Sequence, residues 1–281
     1  MAAQNALEVM ARVGHGARGI VYCLIGGLAL LAAIGSGGQT GGSRSALRTL
    51  LGQPFGRVLL GLIAIGFACF ALWRFVEATT DADHRGNGWK GLAIRGAHLG
   101  GGAIAVGLAV SALGLALGWG GGGGDDRSAK DWTAWLMAQP FGPWLVGLVG
   151  LGIVGGGIAF IVKGWRGKVT KHLACSREVA RWAVPAGRLG FAARGVVFLI
   201  MGGFLVAAAV QSRAAEAKGL GGALQALEAQ PFGWVLLAIT AAGLFAFGVF
   251  SFIEAVYRRI DAPDLDDAKD AIADGLRNIA S

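Results

Sequence analysis

Gln53-Pro54-Phe55-Gly56 returns in the same order at residues 139–142 and again at 230–233, so the chain carries this tetrapeptide three times. Each copy stands directly before an apolar run of about 20 residues, the length that a helix needs to cross a bilayer. A motif that recurs at a fixed place before a span indicates an internal repeat. The motif residues are Gln53, Pro54, Phe55, Gly56, Gln139, Pro140, Phe141, Gly142, Gln230, Pro231, Phe232 and Gly233.

The composition indicates an integral membrane protein. Of 281 residues 54% are hydrophobic and 15% are charged, whereas a soluble domain carries about a quarter charged residues. Cys23 and Cys69 fall in apolar runs and Cys175 in a basic loop, so the spacing favours neither a disulfide framework nor a metal site. The net charge of +8 is interpreted as attraction to anionic lipid headgroups, and no nucleic-acid partner is expected.

The chain is expected to be an all-α membrane protein with six transmembrane helices. They form three parallel two-helix repeats with short interfacial helices on the outer side, in a pseudo-threefold arrangement. A cleavable signal peptide is the rival interpretation of the first span, but Arg18-Gly19 is matched by Arg194-Gly195 in a later span. The predicted spans are 17–35, 56–76, 96–117, 143–163, 191–210 and 233–253. The predicted repeats are 11–80, 88–170 and 184–260, followed by an acidic amphipathic cytoplasmic tail at 261–281.

Basic residues predict the orientation. Since each unit crosses the membrane twice, both termini and the loops between units share one side, here called the N-terminal side. This side carries 18 of the 25 Lys and Arg residues, and such a bias predicts the cytoplasm. The expected location is a bacterial inner membrane, with both termini cytoplasmic and the tetrapeptides facing outward. The seven basic residues on the other side are Arg44, Arg48, Arg57, Arg127, Lys130, Arg213 and Lys218.

Alignment of the units reveals further matched positions. Each first helix opens with Gly-x-x-x-Arg-Gly, and each second helix has an ionisable residue 24 positions after the Gln of the tetrapeptide. The charges at these helix ends are Arg18, Arg95, Arg194, Glu77, Lys163 and Glu254.

These charges are predicted to neutralise one another near lipid, within a unit or between neighbours. The expected pairs are Arg18 with Glu77 and Arg194 with Glu254. In the middle unit Lys163 takes the acidic position, so Arg95 is expected to turn to lipid phosphate, solvent or another carboxylate. A structural or headgroup contact is favoured over a site for an anionic ligand.

The tetrapeptide itself is interpreted as a structural corner. Pro suits the first turn of a helix, the preceding Gln would lie near the cap, Phe could pack back on the interfacial segment, and Gly would allow close backbone approach. The alternative is a ring formed by Gln53, Gln139 and Gln230 at the outer mouth of a conduction path.

No catalytic, cofactor-binding or metal-binding residue is expected. The middle of each span lacks Asp, Glu, Lys and Arg, whereas ion-coupled carriers usually keep an ionisable group there. His98 is interpreted as a satisfied or lipid-facing side chain, with a haem ligand or an accessory quinone site as open alternatives. The residues assemble no nucleophile-base set, so an enzyme is not expected.

The three units with the Gly-x-x-x-Arg-Gly opening and the tetrapeptide resemble a family of bacterial inner-membrane proteins. That family is catalogued as a domain of unknown function that usually occurs in three copies. The resemblance covers residues 11–260 and implies the architecture but no activity. The middle unit departs from the pattern at Lys163 and in its longer loop at 120–124, which argues against a strictly threefold site.

Two functions are compatible with these features. A structural or accessory protein, packed with a larger inner-membrane complex or with lipid, is favoured by the glycine-rich spans and the absence of charge at the middle of the spans. A channel or carrier for a small neutral or weakly polar solute is the alternative, and the repeated Gln motif is its basis.

Overall fold

The computed structural model describes residues 2–80, 88–119, 124–166 and 176–257. Within these residues six helices are long and apolar enough to cross a membrane, which confirms the expected number of spans. They are α1 (Ala2–Ala33), α3 (Gly56–Thr80), α4 (Trp89–Ala116), α6 (Gly142–Trp165), α7 (Arg177–Gln211) and α9 (Gly233–Tyr257). The shorter helices between them are α2 (Ser43–Leu51), α5 (Asp125–Met137) and α8 (Leu220–Glu228).

Helices α1 and α7 begin far earlier than their predicted spans. Helix α7 has 35 residues, or about 52 Å at 1.5 Å per residue, against a hydrocarbon core about 30 Å thick. Their first turns therefore extend beyond the membrane on the N-terminal side. The predicted tail at 261–281, Cys175 and most of the long glycine-rich loop lie outside the described residues.

The centre of the bundle is built by α1, α3 and α9. In their most apolar stretches 39%, 44% and 50% of the residues are buried inside the protein, compared with 33% for α7, 22% for α4 and 17% for α6. Large apolar side chains such as Ile25, Leu60 and Leu244 meet in this central core. Most residues of α4 and α6, the two helices of the middle unit, are therefore at least partly exposed to lipid or to another protein.

The most extensive helix contacts connect different units. Helix α3 packs on α4, α6 packs on α7, and α9 packs on α1, so the second helix of each unit lies against the first helix of the next, with the third unit returning to the first. Contacts within a unit are smaller, and they connect α1 to α3 and α7 to α9. Because each second helix packs mainly on a first helix of another unit, the charges at the helix ends meet between units.

In the first and third units the two spanning helices pack against each other, and in the described part of the middle unit they do not. We call the first and third units closed and the middle unit open. In the first unit a methyl group on Gly66 would overlap Cβ of Ala17, and in the third a methyl group on Gly243 would overlap Cβ of Ala193. The matched glycine of α6, Gly152, has no such neighbour within 4 Å. Among the described residues α4 and α6 make at most marginal contact, so the bundle has an open side between them.

Candidate functional site

Each tetrapeptide forms a tight turn between a short helix and a spanning helix. The N–H of Gly56 donates to the carbonyl of Gln53 at 2.9 Å, and the other two copies repeat this bond. Pro at the second position with a positive φ at the third is typical of a type II turn. Phe55, Phe141 and Phe232 have φ angles of 59°, 60° and 58°, although such values favour glycine or asparagine.

The turn geometry differs from the expectation for Pro, Gln and Phe. Each spanning helix begins at the Gly of the motif, so Pro and Gln precede the helix and do not form its first turn and cap. The rings of Phe55, Phe141 and Phe232 are 79–82% exposed. Because these residues are so exposed, the prediction that Phe packs back on the short helix is wrong.

The last residue of the motif is glycine because the start of the spanning helix lies against the backbone at the end of the short helix. A methyl group on Gly56 would lie 2.7 Å from the carbonyl oxygen of Leu51, and Gly233 would meet the carbonyl oxygen of Glu228 even more closely. Any larger residue would separate the short helix from the start of the span.

The three short helices meet at their N-termini, on the side of the membrane opposite the N-terminal side. Asp125 accepts a hydrogen bond from the backbone N–H of Arg44 at 3.0 Å, at the start of α2. Asp126 accepts from the backbone N–H groups of Gly219 and Gly222 at 2.8 and 3.0 Å, at the start of α8. Two carboxylates of the middle unit thus satisfy orphan donors in both other units. Burial raises the pKa of Asp125 above its ordinary value, and Arg44 opposes this shift.

The geometry does not favour a ring of glutamines. Gln53, Gln139 and Gln230 follow the C-terminal ends of the short helices, whereas their N-terminal ends converge. The side chains of Gln139 and Gln230 donate to backbone carbonyls of the preceding short helices, at Trp135 and Ala226. A recess of about 450 Å³ does open beside the convergence point, and Asp125, Asp126 and Glu228 contribute to its lining.

On the N-terminal side, Arg18 is bound by the third unit. Its Nη2 pairs with Glu254, and its Nε donates to Ser251 at 3.2 Å. The guanidinium also lies 5.3 Å from the centre of the Phe70 ring and 5.1 Å from that of Phe247. The ion pair is well buried, with side-chain exposures of 8% and 14%. Arg18 therefore joins units one and three.

The contacts of the Glu77 carboxylate differ from the predicted ion pair with Arg18. It accepts from Arg74 at 2.9 Å, one turn earlier in α3. Nδ1 of His98 on α4 lies 3.8 Å from the same carboxylate oxygen. The position of His98 beside an acid at a helix contact is a structural role that the sequence did not reveal.

The odd charge of the middle unit lies on the helix that packs against Arg194, not on the helix that packs against Arg95. Arg95 lies on α4, which packs on the helix that carries Glu77, whereas Lys163 lies on α6, which packs on the helix of Arg194. The predicted pair of Arg194 with Glu254 is wrong, because Arg18 takes that carboxylate. The prediction about Arg95 assumed pairing within a unit, and the exchange of helices between units moves the mismatch.

Residues that commonly ligate metals are scattered. In the part of the chain that the structure describes, no three His, Cys, Asp or Glu side chains are placed to hold a metal ion. The geometry offers helix contacts, ion pairs and an open flank, which are features of packing and binding.

This arrangement defines a membrane protein with six spanning helices in three tandem two-helix units. The chain belongs to the family described as Domain of Unknown Function (DUF1206), whose model matches residues 13–81, 97–167 and 189–258. The three matches confirm the prediction of tandem repeats. The chain is also similar to a Bacillus subtilis (strain 168) protein described as "Uncharacterized protein YxxB". The identity is 33% over 252 residues, which cover 89% of this chain and 90% of the relative. No solved structure matches the chain.

Proposed function

We propose that the protein is a structural or accessory membrane protein whose middle unit receives a transmembrane helix of another membrane protein between α4 and α6. The observation that carries this proposal is the uncovered face of α6 at Gly152 and Gly156. In the other two units the matched positions, Gly66 with Phe70 and Gly243 with Phe247, lie against the first helix of their own unit.

The chemistry of the open face suits a helix. Gly152 and Gly156 are four residues apart and therefore lie on the same side of α6, where neither has a neighbour within 4 Å. Small residues at this spacing let two helices approach backbone to backbone in lipid, where dispersion and close packing drive association. A bulky lipid chain fills such a shallow groove less well than a helix does.

The proposal includes the location and the absence of catalysis. The protein would lie in a bacterial inner membrane with both termini in the cytoplasm, as the distribution of basic residues indicates. It would carry out no chemical step and need no cofactor. The alternative of solute conduction has less support, because Leu60, Leu237 and Leu244 are fully buried in the central core along α3 and α9.

The test is a photo-crosslinking amino acid placed at Gly156 in the full-length protein in its native membrane. We expect an adduct with a different membrane protein at Gly156, and none at Gly61 of α3, which also has no neighbour within 4 Å. Adducts with lipid alone, or with a second copy of this chain, would contradict the proposal.

A double substitution sharpens the test. Gly152→Leu with Gly156→Leu, without the crosslinking residue, should reduce co-purification of the partner identified by the crosslink at least about tenfold, since leucine prevents close approach. The matched control is Gly27→Leu with Gly203→Leu, at two positions that also have no neighbour within 4 Å. Both double variants should fold like the wild type. Equal loss of the partner in the two variants would show that the α6 face is not the contact.

A further inference from the structure

Arg194 is a partly buried arginine that has no carboxylate partner among the residues that the structure describes. Its guanidinium carbon lies 4.8–5.4 Å from the centres of four aromatic rings, and its Nε is buried without a hydrogen-bond acceptor. Among the described residues no Asp or Glu lies within ion-pair distance of it. The four rings are those of Tyr22, Phe160, Phe198 and Phe247.

The repeat explains why the partner is missing. Arg18, which is matched to Arg194, uses two acceptors on the helix that packs against it, Ser251 and Glu254. The residues of α6 at these two positions are Phe160 and Lys163. One acceptor has become an aromatic ring and the other has become a second cation. Arg194 thus occupies the same position in its unit as Arg18 does, but the helix that packs against it offers no carboxylate at the matched position.

Lys163 shares the aromatic cluster with Arg194. Its Nζ lies 4.1 Å from the centre of the Phe191 ring. That ring stacks on Phe160 at 5.8 Å and meets Phe247 edge to face at 5.4 Å. Both of these rings also contact Arg194. Aromatic faces attract cations but supply no full counter-charge, so Arg194 keeps its positive charge inside the ring cluster, with the ammonium group of Lys163 beside it.

We propose that Arg194 and Lys163 bind the phosphate group of an anion on the N-terminal side of the membrane, between α6 and α7. The planar arginine fork and the lysine ammonium together suit a phosphate, which accepts several charge-assisted hydrogen bonds. Arg194 stands at the end of the apolar part of α7, the depth at which phospholipid headgroups lie. The phosphate could belong to an anionic lipid or to a soluble molecule, and both present the same group. This site goes beyond the accessory role and does not depend on occupation of the α4–α6 opening.

The decisive variant is Lys163→Glu, which restores the carboxylate that the first and third units carry. The new Glu would neutralise Arg194 as Glu254 neutralises Arg18, so the fold should be kept while the anion site is lost. Arg181→Glu is the control, because it makes the same change of charge at an exposed residue of α7 whose guanidinium lies over Trp182.

Binding should be measured on the purified full-length protein with two probes. Native mass spectrometry from phosphatidylcholine nanodiscs with and without phosphatidylglycerol tests a lipid headgroup, and thermal shift with inorganic phosphate in detergent tests a soluble anion. We expect wild type and Arg181→Glu to bind at least one probe. Lys163→Glu and Arg194→Gln should bind at least about tenfold more weakly, as expected for loss of a charged hydrogen-bond partner.

If the wild-type protein retains phosphatidylglycerol but its unfolding temperature does not respond to inorganic phosphate, the site binds a lipid headgroup. If the protein responds only to inorganic phosphate, the site binds a soluble anion. Equal binding by wild type and Lys163→Glu, or no binding of either probe by the wild type, would overturn the proposal. Arg194→Gln could fail to fold, but Lys163→Glu keeps the test decisive because it is expected to stabilise the protein.

Discussion

Gly26→Ala is expected to lower the free energy of unfolding by about 2–3 kcal/mol, the range for an overpacked core position. An added methyl group would lie 2.7 Å from the carbonyl oxygen of Ala241 and 2.8 Å from Cα of Phe245. Both atoms belong to the backbone of α9, which cannot yield as a flexible side chain does. The whole helix would have to move away from α1, and this contact closes the bundle between the first and third units.

The adjacent Gly27 provides the control. A methyl group at Gly27 would meet nothing within 4 Å, and alanine favours a helix by up to about 1 kcal/mol over glycine. Gly27→Ala should therefore leave the unfolding temperature unchanged or raise it slightly. Thermal unfolding of the detergent-purified proteins, followed by intrinsic tryptophan fluorescence, measures both variants. Equal unfolding temperatures for Gly26→Ala and Gly27→Ala would show that α1 and α9 do not meet at Gly26.

Arg18→Gln is expected to destabilise the protein by about 3–5 kcal/mol, as removal of one partner of a buried ion pair does. The substitution leaves the carboxylate of Glu254 with 14% side-chain exposure and without the arginine that neutralises it. It also removes the bond from Nε to Ser251. Because this pair joins the first and third units, their separation should be visible as earlier unfolding in mild detergent.

A second ion pair on the same helix serves as the control. Arg12 pairs with Glu8, and the two side chains are 42% and 40% exposed, so Arg12→Gln should cost only about 0–1 kcal/mol. Urea or thermal unfolding of both variants gives the comparison. A further variant, Arg18→Leu with Glu254→Leu, should recover part of the stability that Arg18→Gln loses, since it removes both charges of the pair. Equal losses for Arg12→Gln and Arg18→Gln would contradict the buried pair.

The spans and the repeats could be predicted from the sequence because both depend on local patterns. Apolar length sets a span, and the recurrence of Gln53-Pro54-Phe55-Gly56 sets the register between units. The observed starts of α3, α6 and α9, each at the Gly of the motif, differ from the predicted starts by no more than a residue. The early starts of α1 and α7 could not be predicted in this way, since helix outside the hydrocarbon need not be apolar.

The contacts between units could not be predicted from the same patterns. A repeat shows that Arg18, Arg95 and Arg194 are equivalent, but it does not show whether each meets the second helix of its own unit or of its neighbour. That choice is made by side chains far apart in sequence, such as Gly26 of α1 against Phe245 of α9. Pairing within a unit was the simpler assumption, and it assigned the odd charge of Lys163 to the wrong arginine.

The contacts among the three short helices could not be predicted from the sequence either. Asp125 and Asp126 were not singled out, although acidic residues at the start of a helix after glycine are a common signal. This signal predicts only that α5 begins there. It does not predict that the two carboxylates accept hydrogen bonds from the first turns of α2 and α8. The exposed Phe side chains were also missed, because a positive φ at Phe is unusual and the residue type does not indicate it.

The central claim is that the middle unit is open while the other two are closed. Paired cysteines in native membranes test it, in a protein whose natural cysteines are replaced. Ala193→Cys with Gly243→Cys should form a disulfide under mild oxidation, because these positions lie opposite each other across α7 and α9. A Cβ at Gly243 would overlap Cβ of residue 193, so the two helices need only move apart slightly to reach the Cβ–Cβ distance of about 3.8 Å in a disulfide. Ile94→Cys with Gly152→Cys, the matched pair on α4 and α6, should remain reduced. A disulfide at the middle pair as complete as that at the third unit would contradict the open side and the function proposed for it.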